Sequence, residues 1–521
     1  MEVILSAAMG ELGSRSISFL VDRYLKQTAA PTEEQRLCNL QRLLLRLRVI
    51  VEEADGRLVT NQAMLHQLRI MKKEMYRGYY TLDLFHCRAH GEDRTKDHEV
   101  NYSFAQSEFN PAKRVCFCSA NNEGAARAEL LEKVIGNIRD TIEDASEFVM
   151  FLRGCPRLHR EPYTIYLLLD KCMFGRQMEM EQIMNFLLQT ERAPSASEDP
   201  AVLPIIGPVR VGKSTLIEHA CDNQRVRNHF SQILRFSGDD LKDASLETLR
   251  DGGRIKHQNH GMGGGRTLII IEVVLDIEES VWKMLYSAAR SCIARGSKII
   301  VASRSDKIAS FGTTQPIRLQ FFTQEAYWYF FKARTFGSTR VEDHPKLAAM
   351  AMDIAGLMNK CFMGAAIFTG LLKANFNLHF WSMALEFLRN IRQKNILLYG
   401  ERFANGWQFE EPVYLRRAKK TSSECFAIFA IYQACSDDTE PEDPEMVSVQ
   451  DLCFGSVRPQ GNFKVHAWTS HLPPHYNYMF HCGIQRPQRM EDHADGEDIG
   501  IHLPSSSDEP RRNTTQVEFI V

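Results

Sequence analysis

The chain has 521 residues, 44% hydrophobic and 25% charged, with a formal net charge of −2. That length predicts about three domains, each able to bury its own core, and the near-neutral balance argues against a general nucleic-acid or membrane-surface binder. The 13 cysteines show neither disulfide-framework nor C-x-x-C spacing, which suits a reducing compartment.

The apolar start, Val3 to Met9, lacks a basic flank and carries on into a periodic helix, so no secretory leader is expected. The longest apolar run, Cys425 to Tyr432, is far too short for a membrane span. The expectation is a soluble, cytoplasmic protein.

Residues 1–155 read as a helical bundle. Ile17, Leu20, Val21, Tyr24 and Leu25 recur at helical spacing after Ile4, Ala8 and Leu12. Thr32-Glu33-Glu34-Gln35 is a capping-box pattern, and it introduces Leu37, Leu40, Leu44, Leu47 and Val51 at helical steps. Leu131, Ile135, Ile138, Ile142, Ala145 and Val149 repeat the rhythm. Such stripes bury themselves against other helices. A plain bundle core explains them, and a module for partner or self-association is compatible with them. The basic run Arg42 to Arg48 alternates with leucines and reads as a wet helix face. Residues 90–124 are polar and irregular, as for a long loop; Cys116-Phe117-Cys118 within it has thiols too close for good chelation.

Gln189 to Ala201 is polar and rich in Pro, Ser and Ala, a flexible connection. From 202 to about 320, apolar runs alternate with helical stretches: Ile205, Ile233 to Phe236, Leu268 to Val274, Ile299 to Val301 and Ile317 to Leu319. Continuous β-branched runs with helices between them imply a parallel sheet covered on both faces. Residues 160–310 are expected to form this nucleotide-binding domain, 311–395 a helical subdomain, 396–484 a mixed region, and 485–521 a disordered tail.

Gly207-Pro208-Val209-Arg210-Val211-Gly212-Lys213-Ser214-Thr215 matches G-x-x-x-x-G-K-[ST] in full, after a strand-like run and before a helix-like one. A chance match in such a chain has odds of roughly one or two per cent. The glycines let backbone N–H groups close around phosphate, Lys213 reaches terminal phosphates, and the Ser214 hydroxyl can ligate Mg²⁺. Leu268-Ile269-Ile270-Ile271-Glu272 has the shape of the second strand of such sites, with Glu272 as the acid that holds Mg²⁺ through water. The next residue is Val273, where a good hydrolase needs a carboxylate to orient water, so binding with slow or absent hydrolysis is expected. Arg304, ending the strand Lys298 to Ser303, reads either as a sensor of the terminal phosphate or as a surface residue. Gly261 to Gly265 lacks a following lysine and reads as a loop.

With these motifs in place, residues 1 to about 385 resemble the NB-ARC family of plant intracellular immune receptors, of the class with Rx-type coiled-coil N-terminal helices. The stations come in family order: Phe174-Gly175-Arg176, the phosphate loop, Ile269 to Val274, Gly296 to Arg304, then Ile317 to Leu319 leading into Gln324 to Phe331. The resemblance implies that Gly175 and Arg176 lie near an adenine, that ADP is bound at rest, and that exchange for ATP opens a switch whose N-terminal helices signal. It implies protein partners through those helices, other immune receptors or a second copy, and no nucleic acid. The chain departs from the family at Val273, at Cys361 to Ala366 where a G-L-P-L helix is usual, and at Tyr79 to Asp83, which keeps only the last acid of E-D-x-x-D. No M-H-D triplet or leucine-rich repeat follows.

His466, His471, His475, His481 and Cys482 crowd one stretch, with prolines interrupting and no paired-cysteine or H-E-x-x-H spacing; a His-rich strand or loop is the expectation over zinc. The leading expectation is therefore an ADP/ATP switch in plant defence, at most a slow ATPase with Mg²⁺. The alternatives are a non-hydrolysing helical adaptor and, behind it, a phosphate-loop enzyme acting on a small substrate.

Overall fold

The computed structural model describes residues 32–89, 123–157, 173–189, 199–237, 254–258, 265–273, 276–399, 413–416, 425–434, 447–455, 457–470 and 477–485. The expectations for residues 1–31, for 90–122 with Cys116 and Cys118, for most of the 189–201 connection, for Gly261 to Gly264, for His471 and His475, and for the tail beyond 485 lie outside them.

Four helices open the described chain: α1 (Glu33–Asp55), α2 (Gln62–Ala89), α3 (Glu123–Glu143) and α4 (Ser146–Leu152). Thr32 caps α1 reciprocally: Gln35 N donates to its Oγ1 at 3.3 Å, and Thr32 N donates to Gln35 Oε1 at 3.1 Å. Leu40, Leu44, Leu47 and Val51 are buried against Leu131, Ile135 and Ile138, as their spacing requires, while Arg42 and Arg46 face outward. Gly78 of α2 sits where Leu44 of α1 and Ile138 of α3 pack close on its backbone. A Cβ there would lie 2.5 Å from Leu44 and 2.7 Å from Ile138, both in the core.

Helix α5 (Gln177–Leu188) leads to an α/β layer. Strands β1 (Ala201–Ile206), β2 (Gln232–Ser237), β3 (Arg254–Gln258), β4 (Thr267–Glu272), β5 (Lys298–Ser303) and β6 (Ile317–Arg318) form a sheet in the order β3-β2-β4-β5-β1-β6. All neighbours run parallel except β3, which pairs antiparallel with β2. Side chains alternate across the sheet. Leu203, Ile205, Leu268, Ile270 and Ile300 pack under α5, α6 (Lys213–Cys221) and α7 (Gln224–His229). Val202, Ile206, Ile269, Ile271 and Val301 pack under α8 (Glu279–Cys292), around Trp282. This is the doubly covered parallel sheet that the uninterrupted β-branched runs imply. Edge strand β3 carries no such signal, and β6 extends the sheet past residue 310.

Helices α9 (Gln324–Phe336), α10 (Pro345–Leu357), α11 (Phe362–Ala374) and α12 (Leu378–Tyr399) follow. Beyond them lie β7 (Val413–Arg416), β8 (Cys425–Ala434), β9 (Val447–Ser448), the short helix α13 (Val449–Cys453), β10 (Asn462–Thr469) and β11 (Asn477–Gln485), giving a second sheet ordered β7-β8-β11-β10-β9. The mixed sequence character of that region resolves into this sheet. Its inner face, with Phe426, Phe463, Val465 and Phe480, shares one apolar core with Tyr327, Trp328, Phe368 and Trp381. Asn395 of α12, fully buried, ties helix to sheet: its amide donates to Tyr414 O at 2.9 Å and accepts from Tyr414 N at 3.0 Å.

The N-terminal bundle is joined to α9. Asp83 of α2 accepts from Trp328 Nε1 at 2.9 Å and from Lys332 Nζ at 2.5 Å. Tyr76 and Phe174 pack on Tyr329 beside this pair. The one acid kept at the diverged acidic motif is thus a structural joint.

Candidate functional site

Strand β1 ends at the phosphate loop, and α6 begins at Lys213. Gly207 N donates to Ser303 O of β5 at 3.2 Å, which anchors the loop to the sheet. A Cβ at Gly207 would meet Leu319 O at 2.8 Å, so only glycine fits there. Gly212 precedes the helix at φ 92°, in the left-handed region. Arg210 also stands there at φ 60°, a conformation costly for a side-chain-bearing residue. The first turn of α6 therefore aims unpaired backbone N–H groups and its positive dipole end at the loop, the arrangement that holds anions.

Lys213 braces the loop, its Nζ donating to Gly207 O at 2.7 Å and Pro208 O at 2.9 Å. Burial, opposed by Glu272 and helped by Arg304, brings its pKa down to about 8. Arg304 itself is exposed at the end of β5, close enough for that repulsion to act. Val211 is buried, while Val209 and Thr215 are half-buried along the loop and first turn.

The Ser214 hydroxyl donates to Glu272 Oε2 at 2.8 Å, so β4 and α6 deliver both expected metal-site residues to one point. Glu272 is 3% exposed, and its Oε1 is buried with no hydrogen-bond partner. These groups fit Mg²⁺ in kind: the Ser214 oxygen keeps lone pairs, and Oε1 can accept from a water held by the metal. Val273 belongs to the apolar layer with Phe236, Ile271 and Trp282, on the face away from this point, and its N–H donates to Ala302 O at 3.0 Å.

Gly175 sits at φ 64°, where a Cβ would lie 2.6 Å from the Phe322 ring. Arg176, 3% exposed, donates to Gln320 O at 2.7 Å and to Val211 O at 3.4 Å, and lies 4.4 Å over the Phe322 ring. It therefore links the segment after β6 to the phosphate loop. Burial lowers its pKa, opposed by Glu179. Arg210 is held beside the Cys361 thiol, which caps α11 by accepting from Gly364 N at 3.3 Å; the guanidinium Nη1 is buried without a hydrogen-bond partner.

Two residues escaped the sequence reading. Arg235 of β2 donates to Glu272 Oε2 at 2.8 Å and pairs with Glu218 of α6. The signal was present: a lone arginine inside Ile233-Leu234-Arg235-Phe236, and an acid one turn after Ser214.

The histidine stretch separates by strand alternation. His481 is exposed while the adjacent Cys482 is buried in the core, where desolvation pushes its thiol to about 12. His466 meets Thr469 Oγ1 at 3.1 Å. Among the described residues, no three His, Cys, Asp or Glu side chains are grouped for a metal. Among them also, no helix is long and apolar enough to cross a membrane.

No family model matches the chain. It is similar to the disease resistance protein RGA2 of Solanum bulbocastanum, 23% identical over 324 residues, covering 59% of this chain and 31% of that protein. RGA4 of the same species, also described as a disease resistance protein, is 26% identical over 225 residues, 40% of this chain and 22% of its own. The chain thus spans about a third or less of these relatives. One solved structure it matches is the replication initiator DnaA bound to AMPPCP and single-stranded DNA, with TM-score 0.28, 15% identity, and coverage of 49% and 77% of the two chains. A likeness at that score carries no argument. The sequence relatives lie in the group to which the order of motifs pointed.

Proposed function

We propose that this relative of the plant disease resistance proteins is a nucleotide-dependent switch in immune signalling, holding ADP or ATP with weak or no turnover. One observation carries the reading: Ser214 and Glu272 meet at 2.8 Å beneath a glycine-bounded loop that Lys213 braces. Lys213 and the α6 N-terminus supply charge to phosphates, and Ser214 with Glu272 would hold Mg²⁺, which supplies further neutralisation of phosphate charge. Arg176 and Gly175, packed on Phe322, form the wall on the side of Val211 and bind the base. Arg304 senses the terminal phosphate. Val273 supports slow turnover, because an apolar side chain in the sheet layer orients no water.

The test is to purify the protein, release and identify any bound nucleotide, and repeat with Lys213→Ala. ADP in the first preparation and none in the second is expected. No nucleotide in either overturns the reading.

A second reading, a scaffold in which nucleotide serves structure alone, is favoured by the Asp83–Trp328–Lys332 joint, which ties the bundle firmly to α9. Hydrogen exchange of α2 separates the two. A difference between ADP- and ATP-loaded protein supports the switch, and identical protection supports the scaffold.

A further inference from the structure

Arg235 is a charged residue in an apolar strand, and its side chain is mostly buried between two carboxylates. It donates to Glu272 Oε2 at 2.8 Å and pairs with Glu218 on the other side. The same Oε2 accepts the Ser214 hydroxyl, so one oxygen of Glu272 serves two donors while Oε1 serves none. A fixed cation is thus built against the acid that a divalent metal at this loop would use.

We propose that Arg235 is an internal counter-ion that makes nucleoside di- and triphosphate binding at this loop nearly independent of Mg²⁺, a proposal that rests on the nucleotide-binding reading above. Three physical points support it. A guanidinium keeps its proton at any physiological pH, so the charge is permanent. In a partly dry site, its attraction for the Glu272 carboxylate at 2.8 Å is screened far less than in water, so that carboxylate offers less to a second cation. Mg²⁺ keeps most of its waters and needs acceptors for their protons, and with Oε2 engaged twice Glu272 has only Oε1 left to offer them. Glu218 holds Arg235 in place from α6, the helix that also carries Lys213 and Ser214.

The experiment titrates a fluorescent ADP analogue into the full chain in excess Mg²⁺ and again in excess EDTA. Three proteins are compared: wild type, Arg235→Lys, and the charge-balanced double variant Arg235→Met with Glu218→Met. Circular dichroism melts establish that each is folded. Wild type and Arg235→Lys should bind with affinities within about threefold in the two buffers, whereas the double variant should bind at least about tenfold tighter with Mg²⁺. Mn²⁺ followed by electron paramagnetic resonance should bind the double-variant–ADP complex and bind the wild-type complex at least about tenfold more weakly. A wild type that loses tenfold or more in EDTA overturns the proposal, as does a double variant insensitive to the metal; either leaves the nucleotide reading standing. Folded protein that binds no analogue in either buffer overturns both.

Discussion

Two buried carboxylates organise this molecule, and they are finished differently. Asp83 at the bundle joint takes both of its donors, Trp328 and Lys332, on Oδ2, and neither of its oxygens is buried without a partner. Glu272 under the phosphate loop likewise takes two donors, Ser214 and Arg235, on one oxygen, but its other oxygen is buried and unpartnered. Near it lie a left-handed Arg210 and a lysine whose proton is loosened by burial. The buried oxygen left over at Glu272, with backbone strain in the loop above it, is what separates the second carboxylate from the first.

The contrast can be broken by experiment. The largest effect should come from Asp83→Ala, which leaves the Lys332 ammonium and the Trp328 N–H without their acceptor; a loss of about 3 kcal/mol in urea unfolding is expected. A loss below about 1 kcal/mol would show that the joint carries little. Lys213→Ala should do the reverse, lowering ADP affinity by about 100-fold, or about 2.7 kcal/mol, with the unfolding midpoint nearly unchanged. Equal damage to both quantities would erase the distinction between the joint and the phosphate loop.

A pH titration sharpens it. Lys213 is depressed to about 8 in the folded protein from 10.5. Below about 8 it is charged in both folded and unfolded chains, and phosphate binding is at full strength. Above that value the folded state sheds the proton first, so ADP affinity should fall by up to about tenfold per pH unit. Over the same window, from about 8 to 10.5, this group by itself makes the apo protein more stable, since the unfolded chain binds more protons. Lys213→Arg should flatten the affinity profile. A wild-type affinity unchanged to pH 9.5 would rule out this role. The smallest effect expected is Gly78→Ala, where overpacking against Leu44 and Ile138 exceeds the helix-propensity gain and leaves a net cost of about 1 kcal/mol by thermal melt; a raised melting point would contradict it.

How far the sequence could be read follows the range of the interactions. The phosphate loop, the capping box at Thr32 and the doubly buried strands are local patterns, and each is present in the structure. Glu272 was legible because an acid ending an apolar strand has a fixed place in a parallel sheet. Its pairing with Arg235 was not, since only the β2–β4 register sets Arg235 opposite Ile270 and within reach. The partner of Asp83 lies 245 residues away, at Trp328, and no spacing rule reaches that far. Strand β3 escaped because Arg254-Ile255-Lys256-His257-Gln258 has little apolar content to mark it. The second sheet escaped because its strands are separated by polar stretches that blur their period.

Asn395 has a consequence for how the molecule meets its own copies. Its amide takes the N–H and the C=O of Tyr414 together, as a neighbouring strand would, on the outermost strand of the second sheet. A helix thereby imitates one rung of a ladder at an edge that would otherwise invite another chain to add to it. At that rung the side chain acts as a stopper against edge-to-edge addition.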